Sequence, residues 1–344
     1  KLTAENKYYK LTLDTAGRIT SLFDKTANRQ VFKEGCFGNE LQTFEDYPRQ
    51  YDNWEITNYY KEKMWILDTP AEIIPISDGS RAGFKISRKY MDSTISQNLW
   101  LYSDVRRIDF ETEIDWHQHH QLLKAAFPLD VHTNTATYDI QFGHTSRPTH
   151  ANTSWDAAKF ETCGHKWVDM SENGYGVALL NDCKYGHSTE GSTLKLTILK
   201  CGTEPNPEAD QGKHILTYSL LPHVGDFRTA GVINEAYALN QPLCAVCVKE
   251  QKGTLPENFS LVSCDRENLI IETVKKAESD DSMIVRMYEA FDSRGETSFT
   301  VADGFKKAYL CDLCENEIKK LDFENNKVKI LYKNFEIITL KFSK

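Results

Sequence analysis

The chain has 344 residues, of which 40% are hydrophobic and 26% are charged, values typical of a globular protein. At roughly 100–200 residues per domain, this length predicts about two domains. A net charge of −9 disfavours a nucleic-acid or anionic-membrane partner, since both need a basic surface, and no apolar run approaches the roughly 20 residues of a membrane span.

Short strands separated by turns fill the first part of the sequence. Residues 8–14 and 16–24 predict a hairpin closed around Thr15-Ala16-Gly17. Between residues 107 and 116, apolar residues and one threonine alternate with acids, which is typical of an antiparallel strand with one face in water. Further strands are expected at 82–91, 97–103, 121–131, 136–142, 159–169, 174–181, 193–200 and 213–221.

The pattern changes after residue 228. Residues 229–239 lack strand alternation and predict a helix, and the polar segment 249–258, with Gly and Pro, is interpreted as a linker. The overall pattern favours an all-β fold with a first domain at 1–250 and a smaller β-sandwich at 258–344. The strands expected in the smaller domain are 259–264, 268–275, 282–290, 296–302, 306–313, and a closing pair, 327–332 and 335–342, joined near Lys333-Asn334.

Nine cysteines are spread thinly, unlike the dense set of a disulfide scaffold, and predict free thiols in a reducing cytoplasm. The pairs Cys244/Cys247 and Cys311/Cys314 have the internal spacing of zinc ligands. Both pairs fall in expected strands, where positions i and i+3 point to opposite faces. Buried or edge thiols are therefore favoured over a four-thiolate zinc site.

The histidines form no recognisable catalytic or metal motif. His117 and His119 would share one face of a strand and could be a two-histidine ligand set, but a solvated surface cluster is favoured. A His-x-Asp sequence occurs nowhere in the chain. Neither a Gly-x-Ser-x-Gly nucleophile motif nor a Gly-rich phosphate loop is present.

The densest stretch of chemically active residues lies at 142–170, with three histidines and two tryptophans. Its first part, residues 144–155, is expected to be a loop, and residues 159–170 a strand. A polar loop with aromatic residues suits a surface that faces a sugar, because aromatic rings stack on the C–H face of a pyranose. On residues alone, Trp155 and Trp167 are favoured as core anchors.

Several segments of the chain resemble those of one known protein family. Residues 142–188 closely resemble the C-terminal β region of the cytosolic-type α-mannosidases, glycoside hydrolase family 38. Residues 51–56 resemble the family's Trp-Asp-Ala-Trp-Asp-Val segment, with Tyr51, Asn53 and Glu55 as departures. Three further segments are also similar to family sequences: 115–131, 217–227 and 272–278.

The resemblance implies a large galactose-mutarotase-like β super-sandwich followed by a smaller β-sandwich. It also implies a retaining α-mannosidase with an Asp nucleophile and a sugar-binding zinc ion, both N-terminal to this region. No catalytic or zinc-ligand residue is therefore assigned here, and no cofactor is expected in this part. Since the sequence starts at Lys1 without Met, we expect a C-terminal fragment that is inactive alone.

The partners that the resemblance implies are the N-terminal catalytic region and mannose-containing oligosaccharides. An apolar docking patch is expected to be exposed, with homo-oligomer formation as one consequence. The candidate cleft-facing or interface residues lie in polar loops. They are Asp46, Asp52, Trp54, Arg147, Asp156, Asp182, Lys184 and Tyr185. The alternative for all eight is that they only join the domains through hydrogen bonds.

Two other functions remain open at this point. An aldose mutarotase-like epimerase needs a histidine acid and a glutamate base facing one cleft, and His144 or His165 could serve. A stand-alone carbohydrate-binding module needs no catalytic residue at all. An upstream domain carrying a His-x-Asp motif would exclude the second alternative.

Overall fold

A computed structural model describes residues 2–250, 252–254 and 256–344. The chain divides into two compact units, which are described separately: Lys1–Asp139 with Thr145–Leu243, and Ile140–His144 with Cys244–Lys344. The linker expected at 249–258 includes Gln251 and Leu255, which lie outside the described residues. The expected domain boundaries remain a prediction.

Strands dominate the chain up to residue 224. In order they are β1 (Thr3–Glu5), β2 (Tyr9–Leu13), β3 (Ile19–Asp24), β4 (Arg29–Gln30), β5 (Glu40–Glu45), β6 (Met64–Ile66), β7 (Glu72–Ser77), β8 (Arg81–Tyr90), β9 (Ser93–Tyr102), β10 (Ile108–Trp116), β11 (Gln121–Pro128), β12 (Thr135–Ile140), β13 (Gly143–Pro148), β14 (Thr162–Cys163), β15 (Trp167–Glu172), β16 (Tyr175–Asn181), β17 (Gly186–Glu190), β18 (Thr193–Cys201) and β19 (Gly212–Val224).

These strands form three antiparallel sheets. The nine-stranded sheet has the order β13-β12-β15-β16-β19-β10-β9-β8-β7, and the six-stranded sheet has the order β14-β17-β18-β11-β5-β6. A smaller sheet contains β1-β2-β3-β4. Side chains of the two large sheets meet in one core, where the ring of Phe127 on β11 lies 5.9 Å from that of Phe110 on β10 and 6.3 Å from that of Tyr218 on β19. This is a sandwich of two sheets.

Strand β10 confirms the alternation seen in the sequence. Its side chains on one face, from Ile108 to Trp116, are buried in the core. The acidic face is not entirely in water, however. Asp109 is 3% exposed, and its carboxylate accepts hydrogen bonds from Arg107 Nε (2.6 Å) and Ser219 Oγ (2.7 Å). Part of this outer face is therefore covered.

The hairpin expected around residues 15–17 is confirmed between β2 and β3. Asp14 Oδ1 accepts hydrogen bonds from the backbone N–H groups of Ala16 and Arg18, each at 2.9 Å. Gly17 has φ +76°, a left-handed conformation that glycine adopts without strain. The aspartate and the glycine together fix the turn.

Helices are few in the larger unit. The expected helix is confirmed as Val232–Asn240, named α2 because a four-residue helix, α1 (Ser154–Ala157), precedes it. A 3₁₀ helix covers Asn58–Glu62. No helix among the described residues is long and apolar enough to cross a membrane.

The strands of the smaller unit are β20 (Val262–Cys264), β21 (Leu269–Lys276), β22 (Met283–Glu289), β23 (Gly295–Val301), β24 (Lys307–Cys311), β25 (Glu317–Leu321), β26 (Phe323–Glu324), β27 (Lys327–Tyr332) and β28 (Ile337–Ser343). They form two further sheets, with orders β20-β23-β27-β26 and β21-β22-β28-β24-β25. The expected closing pair corresponds to β27 and β28, which lie in different sheets, and β28 is the middle strand of its sheet. The all-β class, a large super-sandwich followed by a smaller sandwich, is confirmed.

Two expectations for residues 144–169 are wrong. The expected loop begins as strand β13, and the strand expected at 159–169 is replaced by the two-residue β14 and by β15, which starts only at Trp167. The physical reason lies in Phe160 and Glu161. Phe160 packs beside Phe44 and Tyr60, and Glu161 pairs with buried Lys124. This segment therefore covers the six-stranded sheet instead of extending it.

The strand assignment of the Cys-x-x-Cys pairs is also wrong for three of the four residues. Cys244 and Cys247 are exposed and belong to no strand. Cys311 is the last residue of β24 and is buried, whereas exposed Cys314 lies in the following turn. There its backbone N–H donates to Asp312 Oδ1 (2.9 Å). Strand β24 therefore ends at Cys311, and the carboxylate of the next residue, Asp312, stabilises the turn that follows.

Candidate functional site

Three neighbouring strand ends bring Asp46, His120 and Lys200 together. In the six-stranded sheet, β11 lies between β5 and β18. Because neighbouring strands are antiparallel, the ends of β5 and β18 and the start of β11 meet at one edge of the sheet. The Asp46 N–H donates to the His120 carbonyl oxygen (2.9 Å), and the His120 N–H donates to that of Cys201 (2.7 Å). Backbone hydrogen bonds thus hold this edge together.

Lys200 is the cation of this edge. Its Nζ lies 2.6 Å from Asp46 Oδ2 and also donates to the main-chain oxygen of Asp52. Asp46 is only 1% exposed. Burial raises the pKa of its carboxyl, and the opposing effect of Lys200 is smaller. Among the described residues, Asp46 Oδ1 has no hydrogen-bond donor, so it keeps an unused acceptor position.

Asp52 is a second buried carboxylate beside the first. Its Oδ1 accepts the backbone N–H groups of Thr203 (2.9 Å) and Glu204 (2.7 Å), and its Oδ2 lies 3.1 Å from His120 Nδ1. Burial alone would raise the pKa of Asp52, but these N–H groups, His120 and Lys200 together lower it. Asp52 therefore serves as an ionised acceptor at neutral pH. We refer to Asp46, Asp52, His120 and Lys200 as the Asp46 cluster.

The loop after β18 is fastened to the loop that carries Asp52. Asn53 donates its N–H to the Glu204 carbonyl (3.0 Å), and its Oδ1 accepts the N–H of Asn206 (2.7 Å). A Cβ atom added to Gly202 would lie 2.7 Å from the Asp52 carbonyl carbon. Only glycine fits this contact without displacement of one loop.

Aromatic rings form the solvent-facing side of the same region. Tyr47 stacks on His120, with 4.2 Å between ring centroids, and Tyr51 stacks on Trp54 at 5.5 Å. Tyr47 is 64% exposed and Trp54 is 75% exposed. Flat exposed rings beside amide, lysine and carboxylate groups are the combination that holds a pyranose. Buried Asp46 and Asp52 instead position Lys200 and His120.

Arg147 and Asp156 lie in different local structures. Arg147 is on β13, with its guanidinium carbon 5.3 Å from the centroid of the Tyr138 ring. Asp156 lies in α1, where its carboxylate accepts a hydrogen bond from Thr153 Oγ1 (2.8 Å) and the same Oγ1 accepts the Asp156 N–H (3.1 Å). Thr153 thereby caps the helix. Asp156 Oδ2 is also 3.8 Å from His150 Nδ1.

The third group follows strand β16. Asp182 Oδ2 accepts the N–H of Thr217 (2.9 Å), and the Lys184 N–H donates to Asn181 Oδ1 (2.8 Å). The half-exposed ring of Tyr185 lies 5.2 Å from the ring of His165. These hydrogen bonds fix the backbone of the turn, in which Lys184 is partly exposed.

Among the eight candidate residues, Asp46 and Asp52 are brought together by their shared neighbours His120 and Lys200. Within the described ranges, no hydrogen bond or ion pair joins either of them directly to Arg147, Asp156 or residues 182–185. Sequence reasoning missed His120 and Lys200. His120 belongs to the histidine-rich stretch 116–120, where the sequence suggests that β10 continues. The strand in fact ends at Trp116, and His117 and His119 lie in the loop after it. Lys200 gave no signal other than its place near the end of a strand.

A second polar cluster lies on the same sheet. The fully buried Lys124 amine pairs with Glu161 and donates to Ser188 Oγ (3.1 Å). Burial lowers the pKa of Lys124, although Glu161 acts in the opposite direction. Glu161 also accepts a hydrogen bond from Thr197 Oγ1. The cluster fixes the segment around Glu161 over the sheet.

The described residues contain no group of three or more His, Cys, Asp or Glu side chains placed to hold a metal ion. The chemistry of the Asp46 cluster agrees with this, because the Lys200 ammonium lies beside both aspartates, where a metal cation would be repelled. Within the described residues, the Asp46 cluster therefore does not fit a zinc site.

Comparison with known sequences shows the family. The profile described as "Glycosyl hydrolases family 38 C-terminal domain" matches residues 4–208, and the profile "Glycosyl hydrolases family 38 C-terminal beta sandwich domain" matches residues 268–340. The chain is 38% identical to "Alpha-mannosidase 2C1" of Homo sapiens and 36% identical to "Alpha-mannosidase G" of Dictyostelium discoideum. Each match covers 98% of the chain but only 33% and 32% of these relatives.

The fold comparison agrees with the sequence comparison. A crystal structure of an α-mannosidase from Enterococcus faecalis V583 superposes with a TM-score of 0.84 at 16% identity, covering 99% of this chain and 42% of that one. At this identity the likeness shows the fold. The chain spans about a third of the length of the curated relatives named above. It belongs to glycosyl hydrolase family 38, as a C-terminal β region of that family.

Proposed function

We propose that this chain is the non-catalytic C-terminal β portion of a retaining, zinc-dependent α-mannosidase that hydrolyses terminal α-mannosides in oligosaccharides. The observation that carries the proposal is the match of C-terminal family profiles along a chain whose relatives are named α-mannosidases. In such a reaction, one carboxylate attacks the anomeric carbon and a carboxylic acid protonates the leaving oxygen. We assign both groups, and the zinc ion, to a catalytic region outside this chain.

The role of this portion is to support the catalytic region and to line part of its cleft. The exposed rings of Tyr51 and Trp54 would stack on a sugar, beside Lys200 and His120. Asp46 and Asp52 would act as positioning residues, since both are buried. Arg147, Asp156, Asp182, Lys184 and Tyr185 are assigned to the same wall or to its contact with the catalytic region.

The accompanying assignments follow from the same proposal. The partners are the catalytic region of the same enzyme and mannose-containing oligosaccharides. We place the enzyme in the cytoplasm, which suits exposed free thiols such as those of Cys163, Cys183 and Cys314. A homo-oligomer would form through apolar surface that the catalytic region does not cover.

An activity assay tests the proposal. The chain of 344 residues, incubated with an aryl α-mannoside and zinc, is expected to show no turnover. A polypeptide extended at its N-terminus to the length of the family relatives should hydrolyse the same substrate. Zinc-dependent turnover by the 344-residue chain alone, or an extended polypeptide that is folded but inactive, would contradict the proposal.

Two further measurements separate the alternatives. Faster equilibration of freshly dissolved galactose, followed by optical rotation, would favour an aldose mutarotase-like epimerase. Calorimetric titration with mannose oligosaccharides examines the stand-alone binding module. Saturable binding by the 344-residue chain, together with an inactive extended polypeptide, would favour that alternative.

A further inference from the structure

Residues 243–250 form an exposed apolar segment after α2. Every residue in it is exposed, and it belongs to no helix or strand. Leu243, Val246 and Val248 are 101%, 74% and 72% exposed. Apolar side chains exposed to this extent and next to one another are unfavourable in water and are normally covered by a partner.

The backbone of this segment is also unpaired. Within the described part of the chain, no N–H or C=O group of residues 243–250 takes part in a backbone hydrogen bond. No helix, turn or bend is present in residues 243–250. The segment therefore offers a row of free donors and acceptors, as a strand at the edge of a sheet does.

The side-chain pattern indicates what would cover the segment. Residues 243–248 read Leu-Cys-Ala-Val-Cys-Val, so the residues on both faces of an extended chain are apolar. A strand that is apolar on both faces is typical of a sheet buried on both sides. Lys249 and Glu250 end this pattern and would remain in solvent.

We propose that residues 243–250 become a strand of a sheet in the catalytic region of the enzyme, by pairing with an exposed strand edge there. This inference rests on the proposed function. Its support is the roughly two-thirds of the relatives' length that this chain does not span, which supplies a partner of sufficient size. Pairing between two copies of the segment would satisfy one backbone edge and leave both apolar faces in water. A larger partner is required to cover them.

Hydrogen–deuterium exchange tests this placement. In the 344-residue chain alone, the amides of residues 243–250 should exchange at the rate of an unstructured peptide. In the extended polypeptide described above, they should exchange at least 100-fold more slowly. Equal, rapid exchange in both would overturn the inference. Slow exchange in the 344-residue chain alone, with a dimer in sedimentation, would assign the segment to a second copy and overturn it as well.

A pair of substitutions adds a second readout. Val246→Asp should leave the melting temperature of the 344-residue chain unchanged and should lower that of the extended polypeptide by several degrees. Leu331→Asp is the matched control, since Leu331 is 76% exposed on β27, and it should affect both proteins equally. An extended polypeptide that Val246→Asp does not affect would contradict the pairing.

The outcome is separable from that of the proposed function. If the extended polypeptide is an active mannosidase but the amides of residues 243–250 exchange rapidly, the inference is contradicted and the proposed function is not. Protection of the segment in an inactive polypeptide would do the reverse.

Discussion

Lys200 Nζ lies 2.6 Å from Oδ2 of Asp46, a carboxylate that is 99% removed from solvent. Lys200→Met is expected to lower the free energy of unfolding of the larger unit by about 3 kcal/mol, because Asp46 would remain buried without its cation. Urea denaturation at pH 7 measures the change. The control is Lys329→Met, since the Lys329–Glu296 pair is exposed and its loss should have little effect. Equal stability of the two variants would show that the Lys200–Asp46 pair does not stabilise the fold.

Gly202 is expected to tolerate no side chain. In Gly202→Ala the new Cβ would lie 2.7 Å from both the Asp52 carbonyl carbon and Asn53 Nδ2, which should cost about 1–3 kcal/mol of stability as the loops separate. Gly253→Ala is the control, since a Cβ at Gly253 would meet no described atom within 4 Å. Thermal unfolding of both variants provides the comparison, and an unchanged melting temperature for Gly202→Ala would contradict the close contact.

The buried pair of Lys124 and Glu161 should show strong coupling. Lys124→Met is expected to destabilise the larger unit by about 3–5 kcal/mol, because Glu161, whose side chain is only 11% exposed, loses its cation. Adding Glu161→Leu should recover much of this loss, since an apolar pair replaces the unpaired charge. Lys7→Met, in an exposed ion pair, serves as the control and should change stability little. Additive effects of Lys124→Met and Glu161→Leu would show that the residues act independently.

Glu289 in the smaller unit should make stability depend on pH. Its buried carboxylate accepts hydrogen bonds from Asn268 Nδ2 (3.0 Å) and from the backbone N–H groups of Phe291 (2.8 Å), Ser293 (3.1 Å) and Phe335 (3.1 Å). Burial alone would raise its pKa, but these donors together lower the pKa below the ordinary value of 4.5. The ionised form therefore stabilises the fold above pH 4.5. As the pH falls further, the unfolded chain takes up the proton first, so this contribution is lost through the folded-state pKa.

Glu289→Gln checks this dependence. At pH 7 the variant should be less stable by about 1–3 kcal/mol, because an amide leaves at least one buried N–H group without an acceptor. The difference between the two proteins should shrink as the pH falls below 4.5. Denaturation curves between pH 3 and pH 7 measure it, and a difference that stays constant with pH would exclude Glu289 as the group responsible.

The exposed aromatic pair should influence substrate binding without affecting stability. In the extended polypeptide, Trp54→Ala is expected to raise KM roughly tenfold, equivalent to about 1.4 kcal/mol, with little change in Tm. Ile215→Ala, at an 82% exposed position on β19, should change neither quantity.

Lys184→Ala and Tyr185→Ala, in the turn after β16, distinguish a role in lining the cleft from a role in contacting the catalytic region. A raised KM would indicate the cleft, whereas a lowered Tm with unchanged kinetics would indicate a contact between domains.

The sequence predicts a strand well where the alternation of apolar and polar residues matches one buried and one exposed face. Strand β10 was visible because its two faces meet different environments. Strand β5 was missed because it is buried on both faces at Leu41–Phe44, which removes the alternation. The segment around Glu161 was misassigned because its place is decided by Lys124, 37 positions away in the chain.

The candidate site was only partly accessible for the same reason. Asp46 and Asp52 were selected as polar residues of one loop, and they do lie together. Their neighbours His120 and Lys200 come from two other strand ends. Only the order of β5, β11 and β18 in the sheet places the four side chains side by side, and no local pattern states that order.

The position of β28 in the smaller unit has a consequence for how that unit assembles. In the five-stranded sheet, β21 pairs with β22 and β24 pairs with β25, and both ladders meet only at β28. Without its last strand in sequence, this sheet would be two separate ribbons. A synthetic peptide with the sequence of residues 337–343 could therefore complement a truncated unit, with the missing centre supplied in trans.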